Sequence, residues 1–289
     1  MTEASGVGGS GVGTVVGLWR FPVKSMQGEA VDTLVFVGPG PGTAGGVAGD
    51  RAWGVVDPAS GRVLSAKTVP ALLQASAASR DQGAVTITLP DGTVLDSEDR
   101  GLADGALSDW LGRRVELRSA AGDAATAYEM TFDPPNDDAE LVPIETPLGS
   151  FCDLTGVHVL TTGSLATMAA THPAGDWAVR RFRPNVLVDT GPAAGDYPED
   201  AWVGGPLAMG NGRGDGGSDR RGVTLDVLMR TVRCAVPLRA QPAAGPAPAL
   251  ARDVGIYRTM AAEHDNHLGV YCDVVRGGTV AVGDEVGVG

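Results

Sequence analysis

Turn-forming residues interrupt this chain at short intervals, and this feature limits its possible folds more than any other. The 289 residues include 43 glycines and 19 prolines, whereas aromatic residues make up only 5%. Glycine and proline both interrupt regular helices, and most of the apolar segments between them have strand length. The pattern therefore predicts a mainly β fold with a few short helices.

Short segments of strand-forming residues follow one another from Thr14 onward, on both sides of an acidic, proline-bearing stretch at 133–147. Before it, the predicted strands are Thr14–Phe21, Ala30–Val37, Ala52–Val56, Arg62–Ala66, Val85–Leu89 and Val115–Arg118. After it, they are Val157–Thr161, Asn185–Asp189, Val223–Val232 and a terminal hairpin of Gly269–Val275 with Thr279–Val288. Helices are predicted at Leu102–Leu111 and from Ser164 onward.

This spacing divides the chain into three parts. Residues 1–13 are mostly small, offer little apolar surface to bury, and are predicted to be a flexible tail. The glycines in Gly6-x-Gly8-x-x-Gly11 match a dinucleotide-binding fingerprint by letter only, because they precede a strand instead of following one. Residues 14–132 and 133–289 are then expected to form two β-rich subdomains.

Acidic residues outnumber basic ones by 35 to 22, which gives a formal net charge of -13. We therefore expect no nucleic-acid polymer as a partner, because a phosphate backbone requires a basic surface. No run of about 18 apolar residues occurs, and the start of the sequence has no basic segment followed by an apolar one. A cytoplasmic protein without a membrane span is the expectation.

The three cysteines, Cys152, Cys234 and Cys272, form no CxxC pair, which argues against a disulfide framework and a structural zinc site. Cys234 differs from the others because it follows Arg233, and a neighbouring cation favours a thiolate that can bind a soft metal or act as a nucleophile. Inert packing is the alternative for Cys234 and the interpretation for the other two thiols. His264-x-x-His267 lacks a third ligand and is interpreted as structural.

Lysine is rare, since 20 of the 22 basic residues are arginine and only Lys24 and Lys67 are lysine. Lys24 and Ser25 follow the first predicted strand, where a point charge and a hydroxyl donor suit a phosphate. Arg51 lies between a glycine-rich segment and a strand and offers a bidentate fork for the same kind of ligand. The alternatives are a solvated turn and a surface ion pair, and Lys67 is interpreted as a surface residue.

Two further segments combine strand ends with anion-binding groups. Arg183 and Asn185 belong to a segment with three arginines and project to the same side of an extended backbone. Thr161, Thr162 and Gly163 stand where a strand passes into a helix, and hydroxyls and free amides at such a junction can bind anions. An ion-pair network and simple helix capping, respectively, are the alternatives.

Taken in order, these segments resemble the MOSC (molybdenum cofactor sulfurase C-terminal) superfamily. The similar branch carries an N-terminal β-barrel subdomain and includes the mitochondrial amidoxime-reducing component and bacterial reductases of N-hydroxylated bases. The segments are WRFPVKS (19–25), GDRAWGVVD (49–57), VLTTGSL (159–165), RFRPNVLVD (181–189), Cys234 after Arg233, and LGVYCDVVRGGTVAVGDEV (268–286). The resemblance implies a mainly β fold in which a MOSC β-barrel packs on an N-terminal β-barrel-like subdomain.

The resemblance also implies a molybdenum pyranopterin cofactor (Mo-molybdopterin), with Cys234 as the thiolate ligand of the metal. The residues that it implies for cofactor binding are Lys24, Ser25, Arg51, Thr161, Thr162, Gly163, Arg183, Asn185 and Tyr271. One departure is Val232, which stands where relatives usually have a small polar residue.

The implied activity is that of a molybdenum-dependent oxidoreductase that reduces small N-hydroxylated compounds by oxygen-atom transfer at the metal. Because no flavin, haem or cluster motif is visible in the sequence, we expect a separate electron-donor protein of the reductase, cytochrome or ferredoxin type. Two alternatives stay open. One is a non-catalytic carrier of the cofactor or of sulfur, and the other is a binding module without molybdenum.

Overall fold

The computed structural model describes residues 10–121, 126–131, 136, 139–210 and 222–289. The strands of the first part are β1 (Ser10–Arg20), β2 (Glu29–Ala30), β3 (Thr33–Val37), β4 (Gly46–Val47), β5 (Trp53–Val56), β6 (Ser76–Ser79), β7 (Val85–Thr88), β8 (Val94–Asp96), β9 (Glu116–Ser119), β10 (Ala127–Met130) and β11 (Val142–Glu145). The second part contains β12 (Val157–Thr161), β13 (Val186–Asp189), β14 (Pro206–Met209), β15 (Val223–Val232), β16 (His267–Arg276), β17 (Gly278–Ala281) and β18 (Glu285–Val288). The α helices are α1 (Arg100–Leu111), α2 (Thr162–Thr171) and α3 (Val254–His264). No helix in these ranges is long and apolar enough to cross a membrane.

Seven strands close into a barrel in the order β13, β12, β16, β15, β14, β18 and β1, with β1 pairing back onto β13. All of these pairs are antiparallel except β12 with β13. Alternate residues of β15 fill the interior, since Val223, Leu225 and Val227 are fully buried while the intervening residues are not. The expectation of a mainly β fold with a few helices is therefore confirmed.

The N-terminal part has its own apolar core beside the barrel. It is assembled from the pairs β5–β9, β6–β7 and β7–β8. Helix α1 packs against it through Ala103 and Leu107, which lie in the same buried cluster as Val55 and Ile87. The helix begins where Asp99 accepts a hydrogen bond from a first-turn amide, and it ends at a left-handed glycine. Sequence periodicity placed this helix within two residues of its observed start.

Three elements differ from the sequence-based expectations. The segment Arg62–Ala66 forms no regular strand and makes only one isolated bridge, from Val63 to Val56. The predicted terminal hairpin is wrong, because β16 pairs with β12 and β15, β17 pairs with β3, and β18 pairs with β1 and β14. These pairings are non-local, and strand pattern alone does not specify partners. Helix α3 was not predicted.

The start of the chain also differs from expectation. Residues 1–9 of the predicted flexible tail lie outside the described residues. The glycine-rich sequence at 210–222 predicts a mobile loop or hairpin tip, and its residues 211–221 also lie outside them. Residues 10–13, however, are the first residues of β1 and pair with β18. The barrel therefore begins four residues earlier than predicted, because the glycines there extend the strand rather than interrupt it.

Arg181 helps to fix the proline-rich segment 237–251, the connector that follows Cys234. Its guanidinium group is 1% exposed and donates hydrogen bonds to the carbonyl oxygens of Asp176, Pro237, Arg239 and Ala251 at 2.7, 3.0, 3.3 and 3.0 Å. Arginine suits this position because its planar fork presents several N–H donors in fixed directions. Arg181 therefore ties the connector to the body of the protein, together with Arg180, which donates to the carbonyl oxygens of Pro242 and Pro248.

Replacing Arg181 with methionine should lower the free energy of unfolding by about 3 kcal/mol, because it leaves buried carbonyl groups without donors. Urea denaturation of the full chain measures this difference. The matched control is Arg80→Met, which removes a half-exposed arginine paired with Asp96 and should change stability little. Equal effects of the two substitutions would show that Arg181 does not hold the connector.

Candidate functional site

A cavity of about 440 Å³ lies between the N-terminal part and the barrel. The structure brings together seven of the ten residues that the sequence predicted for one site: Lys24, Ser25, Arg51, Arg183, Asn185, Cys234 and Tyr271. Among the described residues, the charged side chains that line it are Lys24, Arg51, Lys67, Arg183, Arg233 and Asp153. Within the described ranges, a chain with a net charge of -13 thus lines this cavity with five cations and a single carboxylate.

Arg51 and Arg183 both lie against the ring of Phe21. The Cζ atoms are 4.5 and 4.2 Å from the ring centroid, which is within the range of cation–π contact. Arg51 also forms an ion pair with Asp50, and its Nη2 donates weakly to the carbonyl oxygen of Arg183. Phe21 therefore holds two guanidinium groups close together at the cavity wall.

Arg183, which lines the cavity, keeps a donor that the fold does not use. Its Nη1 donates to the carbonyl oxygen of Met26 at 2.8 Å, whereas its buried Nη2 has no hydrogen-bond partner among the described residues. Burial, reinforced by the charge of Arg51, lowers the pKa of Arg183 to about 9. A buried guanidinium with an unpaired N–H group is unfavourable unless a ligand accepts from it. Arg183 is thus suited to an anion bound in the cavity.

Arg233 supplies a second such donor from the end of β15. Its Nη2 donates to the carbonyl oxygen of Phe182 at 2.8 Å, and its buried Nε has no partner in the described part of the chain. Nη1 lies 3.4 Å from Nε2 of His158. Burial and the charge of Arg233 hold the pKa of His158 well below its usual range, so this imidazole is neutral near pH 7. Sequence reasoning missed His158, which stands alone in an apolar strand.

Several cavity residues adopt a left-handed backbone that side chains other than glycine rarely adopt. Ser25, Arg51, Arg183 and Asn266 have φ values of 70°, 47°, 53° and 60°, and they are four of the six such non-glycine residues in the described ranges. Each such residue costs on the order of 1 kcal/mol, and strain of this kind concentrates at functional sites. The strained backbone positions therefore lie at the same cavity as the buried cations.

The two lysines meet at Asp153. Lys24 Nζ donates to Oδ1 of Asp153 at 2.6 Å and to the carbonyl oxygen of Phe151 at 2.6 Å, and Lys67 Nζ donates to Oδ2 at 2.7 Å. Both ammonium groups also lie over the ring of Tyr128, at 4.2 and 4.1 Å from its centroid. Burial lowers the pKa of Lys24, although Asp153 opposes this shift. The surface interpretation of Lys67 is wrong, because its side chain is only 4% exposed.

The cysteines occupy different places. Cys234 is half-buried, lines the cavity and packs near Ala66 and Val236. Cys152 is buried and also lines the cavity, and burial raises the pKa of its thiol, which keeps it protonated. Cys272 is fully buried in the barrel core, as expected for a packing residue. The described residues contain no cluster of three or more His, Cys, Asp or Glu side chains that could hold a metal.

The remaining predicted residues in the cavity have partners of their own. Ser25 Oγ accepts from the amide of Ala66 at 2.8 Å and keeps its own O–H to donate. Asn185 uses its amide group within the fold, donating to the carbonyl oxygen of Trp19 and accepting from the amide of His158. It therefore joins β1 to β12 at the cavity wall. The ring of Tyr271 contacts that of His158, with centroids 5.7 Å apart.

Thr161, Thr162 and Gly163 do not line the cavity. The hydroxyl of Thr161 is fully buried, caps α2 and hydrogen bonds to Oε2 of Glu199 at 2.6 Å. Thr162 donates to the carboxylate at the end of β13, and Gly163 lies against the short helical turn at 198–202. The prediction that these three residues hold the cofactor therefore does not fit the structure, and helix capping accounts for their positions.

Glu199 makes this capping arrangement sensitive to pH. The carboxyl group is 1% exposed and accepts hydrogen bonds from Thr161 and Ser164, and burial raises its pKa. In the unfolded state this carboxyl group loses its proton near pH 4.5, whereas in the folded state it keeps the proton to a higher pH. The free energy of unfolding therefore falls as pH rises from about 4.5 through the pKa of the folded state.

We expect Glu199→Gln to remove this loss. Urea denaturation between about pH 4.5 and pH 7 should show the stability of the variant increasing relative to the wild type as pH rises. Parallel pH curves for the two proteins would contradict a raised pKa at Glu199.

Comparison with known proteins agrees with this architecture. The model of the MOSC N-terminal beta barrel domain matches residues 12–129, and the model of the MOSC domain matches residues 150–287. This chain belongs to the MOSC family. MOSC domains are associated with molybdenum-cofactor-binding and sulfurase-like proteins, and the family is commonly related to oxidoreductases.

Two solved structures are similar to this MOSC protein. One is the YuaD protein from Bacillus subtilis, which is 11% identical with a TM-score of 0.41 and covers 96% of this chain and 94% of its own. The other is YiiM from Geobacillus stearothermophilus, 10% identical with a TM-score of 0.31, covering 57% and 72%. Neither likeness carries weight for fold or activity, because the TM-scores are low. No curated protein matches the chain.

The residues of the cavity fit the cofactor that the family implies. A pterin with a phosphate is an anion rich in oxygen and nitrogen acceptors, and the unpartnered N–H groups of Arg183 and Arg233 are donors of the matching kind. Buried Oδ1 of Asn266, also without a partner in the described ranges, is an acceptor for a pterin N–H group. Cys234 adds a soft sulfur ligand.

Proposed function

We propose that this MOSC protein is a molybdenum-cofactor-dependent reductase of N-hydroxylated compounds. The observation that carries the proposal is a cavity lined by Cys234, Arg183 and Arg233, in which each of the two guanidinium groups keeps a buried N–H group without a partner among the described residues. A thiolate suits molybdenum, and the guanidinium groups suit a phosphate. A site that served only to pack the two subdomains would have no need for unpaired buried donors.

Each residue has a defined role in this proposal. Arg51, Arg183 and Arg233 bind the anionic part of the cofactor, Ser25 donates its hydroxyl hydrogen, and Cys234 coordinates the metal. The cofactor, when bound, supplies two-electron oxygen-atom transfer chemistry. The protein holds its cations in place before any ligand arrives, because Phe21 and backbone carbonyl groups already fix the guanidinium planes.

The overall reaction consumes two electrons and two protons. An N-hydroxylated compound loses its oxygen as water and leaves the amine, so the N–O bond breaks while N–H and O–H bonds form. A separate cytoplasmic donor protein of the reductase, cytochrome or ferredoxin type supplies the electrons. A cavity of about 440 Å³ is of the size that small-molecule sites have.

Cys234→Ala should reduce the molybdenum content of the protein about tenfold or more, because a first ligand of the metal is lost. The measurement is metal analysis of protein purified from a molybdate-replete host. The control is Cys272→Ala, which removes a thiol from the barrel core and should leave the molybdenum content unchanged. Equal molybdenum in the Cys234 variant and the wild type would exclude Cys234 as the ligand.

A carrier of the cofactor or of sulfur is the second candidate, favoured by the Cys152 thiol that shares the cavity with Cys234. A turnover measurement distinguishes a carrier from a reductase. Molybdenum-loaded protein with excess reduced methyl viologen should convert phenylhydroxylamine to aniline if it is a reductase. A carrier would keep its molybdenum under these conditions and produce no aniline above the rate of a protein-free control.

A further inference from the structure

The ammonium groups of both lysines donate to one carboxylate, that of Asp153, which lines the cavity. Their Nζ atoms lie 2.6 and 2.7 Å from the two oxygens of Asp153, and both lie over the ring of Tyr128. Twenty arginines are distributed over the rest of the chain, and none contacts Asp153 in the described hydrogen bonds and ion pairs. In this cluster of Lys24, Lys67, Asp153 and Tyr128, the family resemblance implies cofactor binding for Lys24 alone, and the roles proposed above use none of the four.

The two ammonium groups differ in the donors that they have left. An ammonium group has three N–H bonds. Lys24 directs two of them to Asp153 and to the carbonyl oxygen of Phe151, whereas Lys67 makes one hydrogen bond, to Asp153, within the described part of the chain. The side chain of Lys67 is only 4% exposed and lines the cavity. Its free N–H groups are therefore available to a ligand inside the cavity.

The backbone holds Lys67 next to the segment that carries Cys234. Ala66, its immediate neighbour, belongs to the small buried cluster formed with Val236 and packed against Cys234. Arg239 also donates from Nη2 to the carbonyl oxygen of Lys67 at 3.3 Å. Lys67 and Cys234 therefore line the same cavity from neighbouring segments.

Asp153 forms ion pairs with both ammonium groups. The two ammonium groups hold the pKa of the Asp153 carboxyl well below its usual range despite its burial, so it is ionised at any pH near neutral. One carboxylate between two ammonium groups leaves a net positive charge. The ring of Tyr128 contacts both ammonium groups through its face. Lys67 is thus a donor held in one position by Asp153 and Tyr128.

We propose that Lys67 contacts the oxygen of the N-hydroxyl group and delivers a proton to it, with Asp153 and Tyr128 as positioning residues. This inference rests on the proposed reductase function. The N–O bond breaks, two electrons come from the separate donor protein, one proton comes from Lys67 and one from solvent, and the products are the amine and water. Solvent then returns the proton to Lys67.

The first test compares Lys67→Gln and Lys67→Arg in molybdenum-loaded protein, with phenylhydroxylamine as substrate and reduced methyl viologen as donor. Both variants should keep the molybdenum content of the wild type, and kcat should fall about 100-fold with little change in KM, since arginine cannot release its proton. Loss of molybdenum from Lys67→Gln would overturn the inference in favour of cofactor binding. Wild-type turnover by Lys67→Arg would also overturn it.

The second test uses the scarcity of lysine and does not depend on turnover. Full-length protein labelled with ε-¹³C-lysine should give two lysine side-chain signals, assigned with Lys24→Arg. Acetohydroxamic acid, an N-hydroxylated probe, should shift the Lys67 signal and leave that of Lys24 in place. A shift of Lys24 alone, or of neither signal at saturating probe, would overturn the inference. If the wild type binds the probe at Lys67 but reduces no substrate, the proposed function fails and the contact stands.

Discussion

The antiparallel pairing of β1 with β13 is the constraint on which the site depends. It closes the barrel, and the amide of Trp19 donates to the carbonyl oxygen of Asn185 at 3.0 Å just beyond the paired residues. Since the strands are antiparallel, the chain leaving β1 meets the chain entering β13. Arg183 therefore lies against the ring of Phe21 and donates to the carbonyl oxygen of Met26. The hydrogen bond to Met26 joins residues that are 157 positions apart in the sequence. Without closure of the barrel, the cations of the two halves would not share a cavity.

Placing several cations in a buried cavity costs free energy, and nearby carbonyl and carboxylate groups offset this cost. Backbone carbonyl groups accept from Arg183 and Arg233, and Asp50 and Asp153 pair with Arg51 and the lysines. The net charge of -13 is a property of the whole surface and does not describe this cavity. Donors that remain unpaired after this compensation are preorganised for an anion, because their desolvation occurs during folding and not during binding.

Sequence reasoning identified the residues at strand ends, because glycine, proline and charged residues mark those ends directly. It failed at Thr161, where one hydroxyl at a strand–helix junction can either cap the helix or bind a ligand, and the local sequence is the same in both cases. It also failed at Lys67 and Asp153. Their pairing joins residues 86 positions apart, and no neighbouring residue in the sequence indicates it. Non-local pairing of strands caused the error in the terminal hairpin for the same reason.

Arg181 and Arg183 are separated by one residue, but the backbone directs their side chains to different places. Arg181 lies in a short helical turn and directs its guanidinium group to carbonyl oxygens of the connector. At Arg183 the backbone turns to a φ of 53°, and the side chain enters the cavity instead. A guanidinium fork suits both places, since each requires several fixed donors. The cluster at Asp153 requires compact charges that can approach one carboxylate and one ring together, and lysine occupies both positions there.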